Sequence, residues 1–198
     1  MAEISATLVK TLRDATGAGM MECKAALKET NGDLEEAKLV LRKRGLAQAG
    51  KKSGRATKEG LIGSYIHMGG KIGVLLELNC ESDFVARTDD FQALMRELTL
   101  QVAAANPQYV RREEVPADVL DRERSVYRAQ MENSGKPAQV IDKIIEGKLG
   151  AFYEQVCLVD QPSIRDPKQT VSQMIQAAIA KLGENIGVAR FVRFKVGE

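Results

Sequence analysis

Apolar side chains in the first 45 residues recur at intervals of three and four, the spacing that lines up one face of an α-helix. Ile4, Leu8 and Leu12 form such a stripe on a helix predicted from Ser5 to Ala15. The break Thr16-Gly17-Ala18-Gly19 offers two glycines able to take positive φ, and a second helix then carries Met20, Met21, Ala25, Ala26 and Leu27. Asn31-Gly32 closes that helix, and Asp33 is placed to cap a third in which Leu34, Ala37, Val40 and Leu41 share a face. Gly45 reads as its stop. Residues 1–45 therefore predict a small three-helix domain.

Past Lys58 the period changes to two. Leu61 to His67 and Lys71 to Cys80 alternate like strands, joined through Met68-Gly69-Gly70. Ile72, Val74, Leu76, Leu78 and Cys80 mark the core face of the second strand. Helical spacing then returns. One helix from Thr88 to Ala105 carries Phe91, Leu94, Met95, Leu98 and Val102, and one from Pro116 to about Glu132 carries Val119, Leu120, Val126, Tyr127 and Met131. A third opens at Pro137, with Ile141, Ile144, Ile145, Leu149, Phe152 and Val156 in one stripe, and its Gly147 and Gly150 suggest close packing. A fourth starts at Thr170 and ends at Gly183, and a last strand runs from Ile186 to Val196. The order strand, strand, helices, strand predicts an α+β fold: a small antiparallel sheet packed against helices over residues 59–198.

Between the two parts lies a basic connector, residues 46–58. From Arg42 to Lys58 the chain collects Arg42, Lys43, Arg44, Lys51, Lys52, Arg55 and Lys58 without one acidic residue. The stretch reads either as a phosphate or RNA contact or as a solvated, partly helical linker; no aromatic residue interleaves with the charges. Elsewhere charge says little, because the formal net charge is only +2, and direct nucleic-acid binding is not expected. Met1-Ala2-Glu3-Ile4 lacks a basic flank before an apolar run, and no stretch approaches the roughly 20 apolar residues of a membrane helix, so a cytoplasmic protein without a membrane partner is expected.

Candidate chemistry is sparse. Cys23, Cys80 and Cys157 lack the spacing of a zinc site and read as reduced, mostly buried thiols, or as one thiol pairing with a second copy of the chain. His67, the one histidine, falls at a hairpin end with no nucleophile and orienting group beside it. No G-x-x-x-x-G-K-[ST] loop occurs. No catalytic residue, metal site or cofactor is expected.

One segment stands out: Glu77-Leu78-Asn79-Cys80-Glu81-Ser82-Asp83-Phe84-Val85-Ala86-Arg87, where a buried strand runs into polar residues and then presents a large ring. Asp83 and Phe84 read in two ways. Either Asp83 caps the next helical turn and Phe84 staples it to the core, or Phe84 is a wedge on an exposed corner with Asp83 beside it, able to compete for a cation or donor in a partner.

This segment resembles the E-[apolar]-N-C-[EQ]-T-D-F-V-A motif of bacterial and organellar translation elongation factor Ts, departing from it at Ser82, where threonine is usual. The stretch from Leu12 to Leu27 resembles the family's N-terminal signature, L-R-x-x-T-G-x-G-M-x-x-x-K-x-A-L, at every fixed position. The resemblance extends over the whole chain, including Ile179 to Ile186. It implies a factor that binds elongation factor Tu in its GDP state and accelerates GDP release without covalent chemistry. It implies that the N-terminal module is like a ubiquitin-associated domain and grips the partner's GTPase domain. The partner-binding set so implied is Arg13, Met20, Met21, Ser82, Asp83, Phe84, Val85 and Ala86, with Asp83 and Phe84 beside the partner's magnesium site. Met20 and Met21 read equally as core fillers. The chain resembles the short form of the family, which implies a homodimer; the last strand, with Phe191 and Phe194, is the candidate contact and also a candidate internal strand.

Overall fold

The computed structural model describes residues 4–132 and 134–198, and of Leu46 only the backbone. Met1, Ala2 and Glu3, which carry the reading of the N-terminus, lie outside the described residues.

Helix α1 (Ala6–Thr16) starts where the Ser5 hydroxyl accepts the Leu8 N–H at 3.2 Å. It ends at Gly17, whose φ of 68° lets its N–H turn back to the Arg13 carbonyl. Helix α2 (Met20–Glu29) follows, and Gly19 before it sits at φ −60°, so only the first of the two glycines takes positive φ. Helix α3 (Leu34–Lys52) is capped by Asp33, which accepts from the Glu36 N–H at 2.9 Å. Val9, Leu12, Cys23, Ala26, Leu27, Ala37 and Leu41 form the core of these three helices.

The stop expected at Gly45 is absent. Helix α3 runs on to Lys52, so most of the basic stretch is helical. Gly45 instead faces helix α8 (Val171–Leu182): a Cβ there would lie 2.9 Å from that of Ala180. The glycine permits two helices to touch.

Strands β1 (Glu59–Ile66) and β2 (Ile72–Cys80) form a hairpin, and β3 (Ile186–Lys195) completes a three-stranded antiparallel sheet in the order β1-β2-β3. Val74, Leu76, Leu78 and Cys80 are buried while Leu75 is exposed, as the alternation along β2 requires. After β2 come a one-turn helix, α4 (Asp83–Ala86), then α5 (Asp89–Ala105), α6 (Ala117–Met131) and α7 (Ala138–Val156). Helix α5 buries Phe91, Leu94, Met95, Leu98 and Val102.

Helices α6 and α7 are only loosely covered. No side chain of α6 is fully buried, since its packing partner is α7 and one neighbour covers only part of a stripe. Nor do Gly147 and Gly150 mark close packing, for a Cβ at either would meet nothing within 4 Å.

The chain gathers into two compact units, each assembled from separated segments. The first combines the chain up to Leu61 with Leu78–Leu94 and Gln173–Gly187. It buries Leu78, Cys80, Val85, Ala86, Phe91, Ile175, Ile179 and Ile186 besides the core of the three helices. The second combines Ile62–Glu77, Met95–Ser172 and Val188–Glu198, around Val74, Leu76, Leu98, Val102, Ile145, Leu149 and Leu158.

Candidate partner-binding surfaces

At the end of β2 the chain turns through Glu81 and Ser82 into α4, and the turn divides its side chains sharply. Val85 and Ala86 are buried at 9% and 3% exposure, whereas Phe84 is 79% exposed. The ring is not stapled to the core, so that local reading falls. Asp83 does not cap the turn with its side chain; its Oδ2 accepts from Arg87 Nη2 at 2.8 Å. Both groups of this i,i+4 pair are largely solvated, and such pairs contribute roughly 0.3–0.5 kcal/mol. The pair is thus loose enough for the carboxylate to exchange Arg87 for another cation. Behind the turn, the Thr88 hydroxyl donates to the Val85 carbonyl at 2.7 Å and accepts the Phe91 N–H at 3.3 Å, which opens α5.

Ser82 is the N-cap residue by position, yet its hydroxyl points elsewhere. It donates to Glu184 Oε1 at 2.6 Å, and Glu184 Oε2 accepts the N–H groups of Glu81 at 3.1 Å and Ser82 at 2.9 Å. The bonding is reciprocal, for Glu81 Oε1 accepts the Asn185 N–H at 2.7 Å. Asn185, itself buried, donates its side-chain amide to the carbonyls of Ser53 at 3.3 Å and Arg55 at 2.7 Å. Three chain segments of one unit therefore meet beneath the Phe84 turn. Of the expected residues on this turn, Ser82 is engaged inside the clasp, Val85 and Ala86 anchor it from within, and Asp83 and Phe84 face outward. Glu184 and Asn185 were not singled out by sequence reasoning. The available signal was the polar pair directly after the stop at Gly183 and before buried Ile186.

The helical module presents a second surface in the same unit. Met20 and Met21 begin α2 at 55% and 77% exposure, while Cys23, Ala26 and Leu27 take the inward side. The first turn is set by Glu22, whose Oε2 accepts the Gly19 N–H at 3.3 Å. The methionines are therefore not core fillers. Arg13, in the last turn of α1, is also exposed.

The remaining chemical groups are structurally occupied. His67 Nδ1 lies 2.9 Å from the Tyr65 hydroxyl on the surface. All three cysteines are buried and free, and burial pushes the Cys157 thiol up to about 11. An open cleft of about 420 Å³ in the second unit is floored by Gln101, whose amide bonds Gln161 and the Pro162 carbonyl. Among the described residues no group of three or more His, Cys, Asp or Glu is placed to hold a metal ion, and no helix is long and apolar enough to cross a membrane.

Comparison with known proteins bears on the whole length of the chain. Residues 5–198 match the family model described as "Elongation factor TS". A protein named elongation factor Ts from Fervidobacterium nodosum is 62% identical over 196 residues, covering 99% of this chain and 100% of the relative. One of the same name from Solibacter usitatus is 58% identical over 198 residues, covering 100% and 93%. Another, from Thermosipho melanesiensis, is 59% identical over 195 residues, covering 98% and 100%. With exposed residues of both signature segments, Met20, Met21 and Phe84, in one unit and likeness along its full length, this chain belongs to the elongation factor Ts family of translation elongation factors.

Proposed function

We propose that the chain binds GDP-loaded elongation factor Tu and accelerates GDP release, making and breaking no covalent bond itself. The exposure of Phe84 on a turn whose neighbouring side chains are buried is the observation that carries this reading. A fully hydrated aromatic ring gains about 1.5–3 kcal/mol on burial, so it favours a partner that offers it a crevice. Bound GDP depends on Mg²⁺ and on backbone donors around its phosphates. A ring that displaces the elements carrying those groups, with the Asp83 carboxylate competing beside the cation, removes much of the nucleotide's affinity. The coupling is reciprocal, so incoming nucleotide expels the factor.

In this reading residues 1–45 grip the partner through Arg13, Met20 and Met21, residues 46–58 connect, and residues 59–198 carry the Phe84 turn and the contact with a second copy, all in the cytoplasm where translation runs. The exposed apolar side of the sheet in the second unit, with Ile62, Ile66, Leu75, Val192 and Phe194, supports the homodimer. Phe191 alternates to the opposite side and is half-buried, so Phe194 is the aromatic residue of that contact.

An RNA- or ribosome-bound adaptor without exchange activity is the competing reading, and it draws on the basic stretch. Four of those seven charges have partners within the protein: Arg42 with Gln173, Arg44 with Glu29, Lys52 with the Gly183 carbonyl and Arg55 with Glu81. These four are engaged within the protein, which weakens the adaptor reading.

Stopped-flow release of a fluorescent GDP analogue from elongation factor Tu decides the matter. Truncating the ring in Phe84→Ala should slow release at least about tenfold, the equivalent of about 1.4 kcal/mol. The melting temperature should stay within about 2 °C, because an exposed ring contributes little to the fold. Release as fast as with the unaltered protein overturns the wedge.

A further inference from the structure

We propose that Glu184 is the positioning residue of the exposed ring: its carboxylate, rather than the local helix, fixes the direction in which Phe84 leaves the protein. This rests on the exchange reading above. Helix α4 spans four residues, far below the length at which a helix holds itself. Ser82 makes no side-chain cap bond to it. Burial of Val85 and Ala86 holds the turn from within, and its entry is tied by the trio of bonds from Glu81 N–H, Ser82 N–H and the Ser82 hydroxyl to the two oxygens of Glu184. Bonds to an ionised carboxylate are shorter and stronger than neutral ones. The residue that supplies them is anchored in turn, because Asn185 is bonded to Glu81 and to the carbonyls of Ser53 and Arg55.

The functional consequence is preorganisation. A ring on a loose turn points the right way for only a fraction of the time, and its effectiveness falls by that fraction. Glu184 touches neither nucleotide nor magnesium in this account; it acts through Phe84.

The test is a double-mutant cycle on nucleotide release from GDP-loaded elongation factor Tu. Glu184→Ala should slow release at saturating factor by about five- to tenfold. In the Phe84→Ala background the same change should alter the rate by less than about twofold, since the group it positions is gone. Glu184→Gln keeps one carbonyl oxygen and should fall between Glu184→Ala and the unaltered protein. It also carries the cycle should the alanine variant not fold. Hydrogen exchange provides a readout without the partner: the Glu81 and Ser82 amides should exchange at least about tenfold faster in Glu184→Ala, with the α5 amides unchanged. Equal slowing in both backgrounds would mean that Glu184 merely supports the fold, and the inference is overturned. It is also overturned if Phe84→Ala slows release while Glu184→Ala does not, or if the two amides keep their protection. Were Phe84→Ala itself without effect, the exchange reading would fall first, and the positioning role with it.

Discussion

Phe84 and Phe91 lie close in sequence, and the fold treats them oppositely: the first is exposed and the second fully buried. Both follow polar residues, so nothing local separates them; the burial of Val85 and Ala86 turns one ring out, and the face of α5 turns the other in. The cysteines follow a similar logic, with each thiol buried. Burial, the largest cause, together with the nearby Asp160 carboxylate, moves Cys157 from an ordinary value near 9 to about 11. In the unfolded chain this thiol ionises near its ordinary value while in the fold it stays protonated, so the fold binds the extra proton and loses stability as pH climbs from about 9 to about 11. Native protein at pH 8 should therefore resist a thiol-specific label at all three cysteines and take it up at all three once denatured. Rapid native labelling of Cys157 would refute its burial. The same burial argues against pairing one of these thiols with a second copy of the chain, which would need an accessible sulfur.

Among the elements, those with a full period were legible. The stripes of α1, α2, α5, α7 and α8 and the alternation of the three strands give elements whose bounds fall within a residue or two of the expected ones. What failed had a tertiary cause. Gly45 carries a local stop signal that contact with Ala180 overrides, and the stripe on α6 packs mainly against α7 and stays partly exposed. At the candidate site, Phe84 was visible from sequence, but its support was not, since Ser82 and Glu184 are 102 positions apart. Helix α3 offers a direct check on the role given to Gly45. Glycine inside a helix ordinarily costs about 0.5–1 kcal/mol relative to alanine, so Gly50→Ala, with nothing within 4 Å of the added carbon, should stabilise by about that amount. Gly45→Ala should destabilise instead, by about 1 kcal/mol or more, because two helices must separate to admit it. Urea midpoints of the two variants moving in opposite directions would verify this; a stabilised Gly45→Ala would contradict it.

At the scale of the molecule, neither compact unit is one stretch of chain: the polypeptide leaves each and returns to it. Local periodicity cannot reveal such interleaving, which only the pairing of β3 with β2 and the packing of α8 with α3 disclose. The exposed apolar side of the sheet belongs to the second unit, whereas the residues given to partner binding belong to the first. Sedimentation should find the unaltered protein near twice its 21.7 kDa chain mass, and Phe194→Asp near the single-chain mass with its circular dichroism preserved. A monomer before any substitution would remove the homodimer. The clasp beneath Phe84 carries a consequence for the order of synthesis. Ser82 is made 102 residues before the carboxylate it bonds, so a nascent chain emerging from the ribosome holds the Phe84 turn well before Glu184 is there to tie it. On the proposed reading, a chain whose synthesis has not yet reached Glu184 carries Phe84 on a turn that lacks the carboxylate bonds of the finished protein.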